Sequence, residues 1–78
     1  MKITNYLDRY LTDKIYSITV KENSVYIINY IEVVDFSDSK VVIRYSKGKT
    51  TILGDNLVVS KMMKDELLII GKIRTIEV

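Results

Sequence analysis

Twenty-one of the 78 residues are Val or Ile, six are Thr, and none is Ala. Side chains branched at Cβ lose χ1 freedom against the preceding turn of a helix and pack well on a pleated sheet. A chain that omits the best helix former and concentrates these residues is built to be strands. The expected fold is therefore mainly all-β: a small antiparallel β-sandwich or rolled sheet, with one short amphipathic helix at the N-terminus.

At 78 residues the chain makes one domain. A domain of this size buries only roughly 60–65% of the surface its unfolded chain exposes, so its core is small. No Cys is present to add a disulfide, and self-association as a homo-oligomer is one way such a core is extended. The absence of Cys also excludes the disulfide framework of a small secreted domain. The N-terminus lacks the apolar core of a signal peptide. The uninterrupted apolar run Leu67 to Ile70 is far shorter than the ~20 residues of a spanning helix. These features predict a cytoplasmic protein. Twelve basic and ten acidic residues, net +2, are well mixed and demand no anionic partner.

Residues 1–14 are read as the helix and 15–78 as the β-domain. Ile3, Tyr6, Leu7, Tyr10 and Leu11 recur at helical spacing and form one apolar stripe, with Asn5, Asp8, Arg9, Thr12 and Asp13 mostly off it. Such a stripe either covers the sheet or docks a partner, which makes Tyr6, Tyr10 and Leu11 candidate partner contacts. Strands are expected at 16–20, 24–28, 30–36, 39–46, 49–54, 56–60, 66–71 and 72–78. Lys47-Gly48 reads as a two-residue hairpin turn, because Gly supplies the positive φ such loops favour. That turn pairs Ile43 with Ile52 and puts Val41, Ile43, Tyr45 and Ile52 on the core face. For the preceding hairpin a three-residue loop (Val33 opposite Val41) and a two-residue loop at Ser37-Asp38 (Val34 opposite Val41) both remain open. Gly54 and Gly71 interrupt strand patterns, which marks bends that let the sheet fold over itself. Their 17-residue spacing also leaves a short β-solenoid open.

The chemistry-bearing residues are few. With no His and no Cys, the serines lack the usual base for nucleophilic catalysis. Ser60-Lys61, adjacent on a strand, point to opposite faces. Asp35 and Asp38 fit turn-stabilising roles, and Asp55 and Asp65-Glu66 fall in polar connections; no loop gathers the oxygen ligands of a hard cation. Neither an enzyme, a small-molecule substrate nor a cofactor is expected. Tyrosines together with Lys40, Arg44, Lys47 and Lys49 raise a second reading, a single-stranded nucleic-acid-binding β-barrel. Interleaved acids rank it behind a domain that works through protein contacts.

From Asn29-Tyr30 onward the chain resembles the YabP/YqfC family of sporulation proteins. The residues that carry the likeness are Asn29-Tyr30, Val34 with Phe36-Ser37-Asp38, Val41-Val-Ile43, Gly48, Ile52-x-Gly54-x-x-Leu57, Lys64-Asp-Glu-Leu-Leu-Ile-Ile-Gly71, Ile73 and Ile76. The amphipathic segment before them places it closer to the YqfC branch. The resemblance implies a non-enzymatic structural or adaptor protein of endospore formation, made in the mother cell and possible as a peripheral protein at the forespore membrane. It implies a YqfD-like membrane protein as partner and brings no catalytic residues.

Overall fold

The computed structural model describes residues 15–78, so the helix expected over residues 1–14 lies outside the described residues. Six strands follow one another: β1 (Ser17–Lys21), β2 (Ser24–Ile28), β3 (Glu32–Phe36), β4 (Lys40–Tyr45), β5 (Gly48–Met62) and β6 (Glu66–Glu77). They form one antiparallel sheet in the order β1-β2-β6-β5-β4-β3, and no helix occurs among the described residues.

The strands expected at 49–54 and 56–60 are one continuous β5, and those at 66–71 and 72–78 are one β6. These two long strands pair along most of their length, with register shifts at Leu53/Gly54, between Asp55 and Val58, and at Val59/Lys61. Each shift is a bulge, which bends the strand and sharpens its twist. The bend divides the ribbon. Its Val58–Met62 and Glu66–Ile70 part continues the sheet through β2 and β1. Its Gly48–Leu53 and Thr75–Glu77 part continues it through β4 and β3. The two halves roll toward each other, and the core lies between them: Val25 and Ile27 of β2, Leu67 and Ile69 of β6, Val41 and Ile43 of β4, Ile52 and Leu57 of β5, and Tyr30. The expected folding-over at the glycines is thus what the sheet does, as one rolled layer.

The reason for glycine is contact. A Cβ at Gly54 would stand 2.1 Å from the Lys72 carbonyl oxygen and 2.9 Å from Leu57 Cδ2. At Gly71, where φ is +146°, it would stand 2.7 Å from the Asn56 carbonyl oxygen and 3.0 Å from Leu57 Cα. Asn56 adopts φ 54°, a left-handed conformation that Asn tolerates better than most residues. Leu57, on this bend, is buried and serves as the core residue around which the two strands turn.

The best hairpin keeps its faces and shifts its register. Tyr45 opposes Gly48, Ile43 opposes Thr50, and Val41 opposes Ile52, so the turn residues are Ser46-Lys47 rather than Lys47-Gly48. No residue of that turn has positive φ apart from the following Gly48. The turn therefore uses its glycine after the two central residues, where type I turns favour it. A shift of two residues preserves side-chain parity, and Val41, Ile43 and Ile52 are fully buried as expected, with Tyr45 half-buried. The β3–β4 hairpin follows neither open pairing. Val33 opposes Ile43 and Phe36 opposes Val41, with Val34 bulged between them. The Ser37 hydroxyl holds the connection by accepting from the Lys40 amide at 3.1 Å. The strand expected from residue 30 begins at Glu32, because Asn29 turns the chain at φ 66°.

Tyrosines tie the halves together. Tyr16 stacks on Tyr45 with ring centroids 4.0 Å apart and donates at 2.8 Å to Oγ1 of Thr50, a fully buried polar residue of the core. Tyr30 donates to the Met63 carbonyl at 2.7 Å. Burial raises the pKa of both Tyr16 and Tyr30 above the ordinary phenol value. The folded state therefore holds these protons more tightly than the unfolded chain. Their stabilisation is complete below about pH 10 and declines as pH rises through the folded-state values.

Two outcomes follow from this architecture. Gly54→Ala should cost about 3 kcal/mol or more, because backbone rather than a flexible side chain blocks the added methyl. A domain near the low end of the usual stability range would then lose its cooperative thermal transition in circular dichroism. Tyr16→Phe should lower stability by about 1 kcal/mol at neutral pH, through loss of the bond to Thr50. It should also flatten the fall in urea midpoint above about pH 10, measured across a pH series.

Candidate interaction surfaces

Alternation puts Val25, Ile27, Leu67 and Ile69 in the core, so their neighbours in sequence face outward. Those neighbours are also apolar. Tyr26 lies opposite Leu68, Ile28 opposite Glu66, and Val58 opposite Ile70. Val58 and Ile70 are exposed, and Tyr26, Ile28 and Leu68 are half-buried. The outer side of the β2-β6-β5 layer thus carries a band of hydrophobic side chains. At its Glu66 end Tyr26, Lys61, Met63, Glu66, Leu67 and Leu68 line an open cavity of about 190 Å³. Tyr26 donates to Glu66, and this bond is the main reason its phenol pKa is raised. Met62 and Met63, both exposed, stand at the hairpin end beside this cavity.

Backbone edges form a second kind of surface. β2 pairs with β6 only over Glu66–Ile70, and β4 pairs with β5 only over Gly48–Leu53. Among the described residues, Lys72–Glu77 of β6 and Val58–Met62 of β5 therefore have a strand on one side only. β1 and β3 are the sheet's terminal strands. Edges of this kind accept an added strand from another chain.

The residues singled out from sequence fall in separate places. Tyr6, Tyr10 and Leu11 lie outside the described residues. Lys40 and Arg44 share the outer face of β4, and Lys49 faces Arg44 across the ladder, while Lys47 sits in the turn. Three of the four basic residues are thus brought to one face. The acids of β3 reach the same face: Arg44 Nε bonds Glu32 Oε1 at 2.8 Å, and Lys40 Nζ lies 3.8 Å from Asp35 Oδ2. These exposed pairs alternate in sign along the hairpin. Tyr45, next to Arg44 in sequence, alternates to the other face, where its ring stacks on Tyr16.

The acidic residues singled out from sequence take part in structural contacts through side chain or backbone. Asp35 Oδ1 accepts from the Phe36 amide, the Asp38 carbonyl accepts from the Leu57 amide at 2.8 Å, and Asp55 pairs with Arg74 at 3.4 Å. The Asp65 carbonyl accepts from the Asn29 amide at 2.7 Å. Among the described residues no three acidic side chains converge as a metal ligand set, and no helix is long and apolar enough to cross a membrane. Sequence reasoning passed over Tyr26, Leu68 and Ile70. Their signal was the unbroken run Leu67-Leu-Ile-Ile70, in which both faces of one strand are apolar.

Compared with known proteins, residues 13–78 match the model of the YabP family. No curated protein and no solved structure matches the chain.

The paired charges around Arg44 predict no salt-dependent mobility shift with single-stranded RNA or DNA at low ionic strength. A complex whose affinity falls steeply with added salt would contradict this.

Proposed function

Because this chain belongs to the YabP family, a membership consistent with a sporulation-related protein, we propose that it is a non-enzymatic adaptor of endospore formation that works through protein contacts. The proposed place is the YqfC branch. The proposed partner is a YqfD-like membrane protein, met at the forespore membrane from the mother-cell side, with homo-oligomers as a further possible assembly. The observation that carries this reading is the pair of half-strands, Val58–Met62 and Lys72–Glu77, each with one neighbouring strand among the described residues. Backbone donors and acceptors on such an edge recognise an extended segment of another protein without a reaction centre. The alternating ion pairs on the β3–β4–β5 face support this reading over the nucleic-acid one.

Deletion of the gene in a spore former should lower the yield of resistant spores, and normal yield and resistance would count heavily against the proposal. The full chain should also retain the product of the adjacent gene in a pull-down from detergent-solubilised membranes. A solution mass measurement on the same preparation will give the stoichiometry.

A further inference from the structure

The strand edges left open among the described residues are those of β1, β3, Val58–Met62 of β5 and Lys72–Glu77 of β6. Their charges differ. β1 carries Lys21 alone, β3 carries Glu32 and Asp35, and Val58–Met62 carries Lys61 alone. Lys72–Glu77 holds both signs, with Lys72 at its start and Glu77 at its end, and neither makes an ion pair among the described residues. This edge begins where β2 stops. The Gly71 amide donates to the Asn23 carbonyl at 3.0 Å, and past it β6 is paired with β5 alone.

The edge is also bulged. Ile73 opposes Gly54 and Thr75 opposes Leu53, so Arg74 is the extra residue. Arg74 is turned back onto β5, its guanidinium 3.4 Å from Asp55 and 3.2 Å from the Gly54 carbonyl oxygen. Because of the bulge Ile73 and Ile76 both pack against the core, while Lys72, Thr75 and Glu77 are exposed. A regular strand laid along this edge would match side-chain faces on one side of Arg74 and lose the match on the other.

We propose that a second copy of the chain occupies this edge, antiparallel about a two-fold axis between Arg74 and Thr75. That register sets Lys72 opposite Glu77 of the second copy and Ile73 opposite its Ile76, with each Arg74 facing a Thr75. The two bulges coincide, so both strands hold the same number of residues between matched pairs and the faces agree throughout. Moving the register by one residue puts Lys72 opposite Ile76 or Val78 and loses both the charge match and the face match. Opposite charges facing across a ladder attract, and the other open edges, each of one sign, offer no ion pair to their own two-fold copy. The contact is short. Lys72–Glu77 spans about 20 Å, and a strip of that length and roughly 10 Å wide is far below the ~800 Å² per partner of a standard interface. The dimer is therefore reversible. The inference rests on the reading of the half-strands as contact edges and assigns them separately: Lys72–Glu77 to a second copy, Val58–Met62 to the proposed partner.

Sedimentation equilibrium of the full chain should show a monomer–dimer equilibrium as concentration rises to about 1 mM. Glu77→Lys should weaken association about tenfold, because it sets like charges opposite at both ends of the pair. Lys72→Glu should do the same, and the exchange of both, Lys72→Glu with Glu77→Lys, should restore the constant to within about threefold. A monomer at every concentration, or a constant that the single substitutions leave unchanged, would overturn the inference. So would masses above that of a dimer, which would place association at the oppositely charged β1 and β3 edges. A second readout checks the register in a chain that otherwise contains no Cys. A mixture of Lys72→Cys and Glu77→Cys chains should oxidise to the mixed disulfide in preference to either chain with itself, since bridged residues must have Cα atoms within about 7 Å. A statistical mixture of products would count against it. A monomeric chain that still retains the adjacent gene product in the pull-down would overturn this inference alone and leave the proposed function standing.

Discussion

The approach of β5 to β6 at their shared bend is the constraint on which the rest of the molecule depends. Gly54 lies against the Lys72 carbonyl and Gly71 against the Asn56 carbonyl, at separations that leave no room for a Cβ. Leu57 fills the inside of the bend. With that contact made, one long ribbon becomes the spine of both halves of the sheet. β2 adds to β6 on one side of the bend and β4 adds to β5 on the other. The core forms because these additions face each other. Without the bend, Val25 and Ile27 could not meet Val41 and Ile43.

The same bend creates the surfaces. β2 and β4 attach to opposite halves of the ribbon, so each leaves part of its neighbour uncovered. The result, among the described residues, is a pair of half-strands with one unpaired edge each and an outward band whose side chains alternate with the core. Interaction capacity and core closure are therefore one geometric outcome. The tyrosines stabilise the arrangement at its seams: Tyr16 bridges the start of β1 to Thr50 and Tyr45, and Tyr30 bridges to Met63. Each contributes an apolar ring to packing and a hydroxyl to a hydrogen bond across the seam.

The strand character, the hairpins and the face assignments were legible before the structure. Val41, Ile43 and Ile52 were read as core because alternation has a period of two and needs no knowledge of partners. The register of that hairpin was not legible. Lys47-Gly48 and Ser46-Lys47 turns both preserve parity, so the hydrophobic pattern does not distinguish them. The β3–β4 hairpin failed for a related reason: a bulge at Val34 changes the count of residues, and its signal is not local. Of the candidate contacts, Lys40, Arg44 and Lys49 share one face while Lys47 lies in the turn, and the pairing with Glu32 and Asp35 depended on which residues of β3 oppose β4. The Tyr26–Leu68–Ile70 band went unnoticed because an apolar run within a strand reads equally well as buried on both sides.

By itself, the sequence determined that this chain is a sheet and not a bundle, which residues of each strand share a side, and that it lacks the histidine and cysteine on which many reaction centres rely. Those properties reside in single residues and their nearest neighbours. Tertiary structure alone decided that β5 and β6 are continuous, that Gly54 and Gly71 serve close contact, and that one outer face is apolar while another is laced with ion pairs. The physical reason is distance along the chain. The atoms that exclude a Cβ at Gly54 belong to Lys72, and the acid that neutralises Arg44 belongs to Glu32. A local pattern cannot specify contacts whose two sides meet only after the sheet has closed.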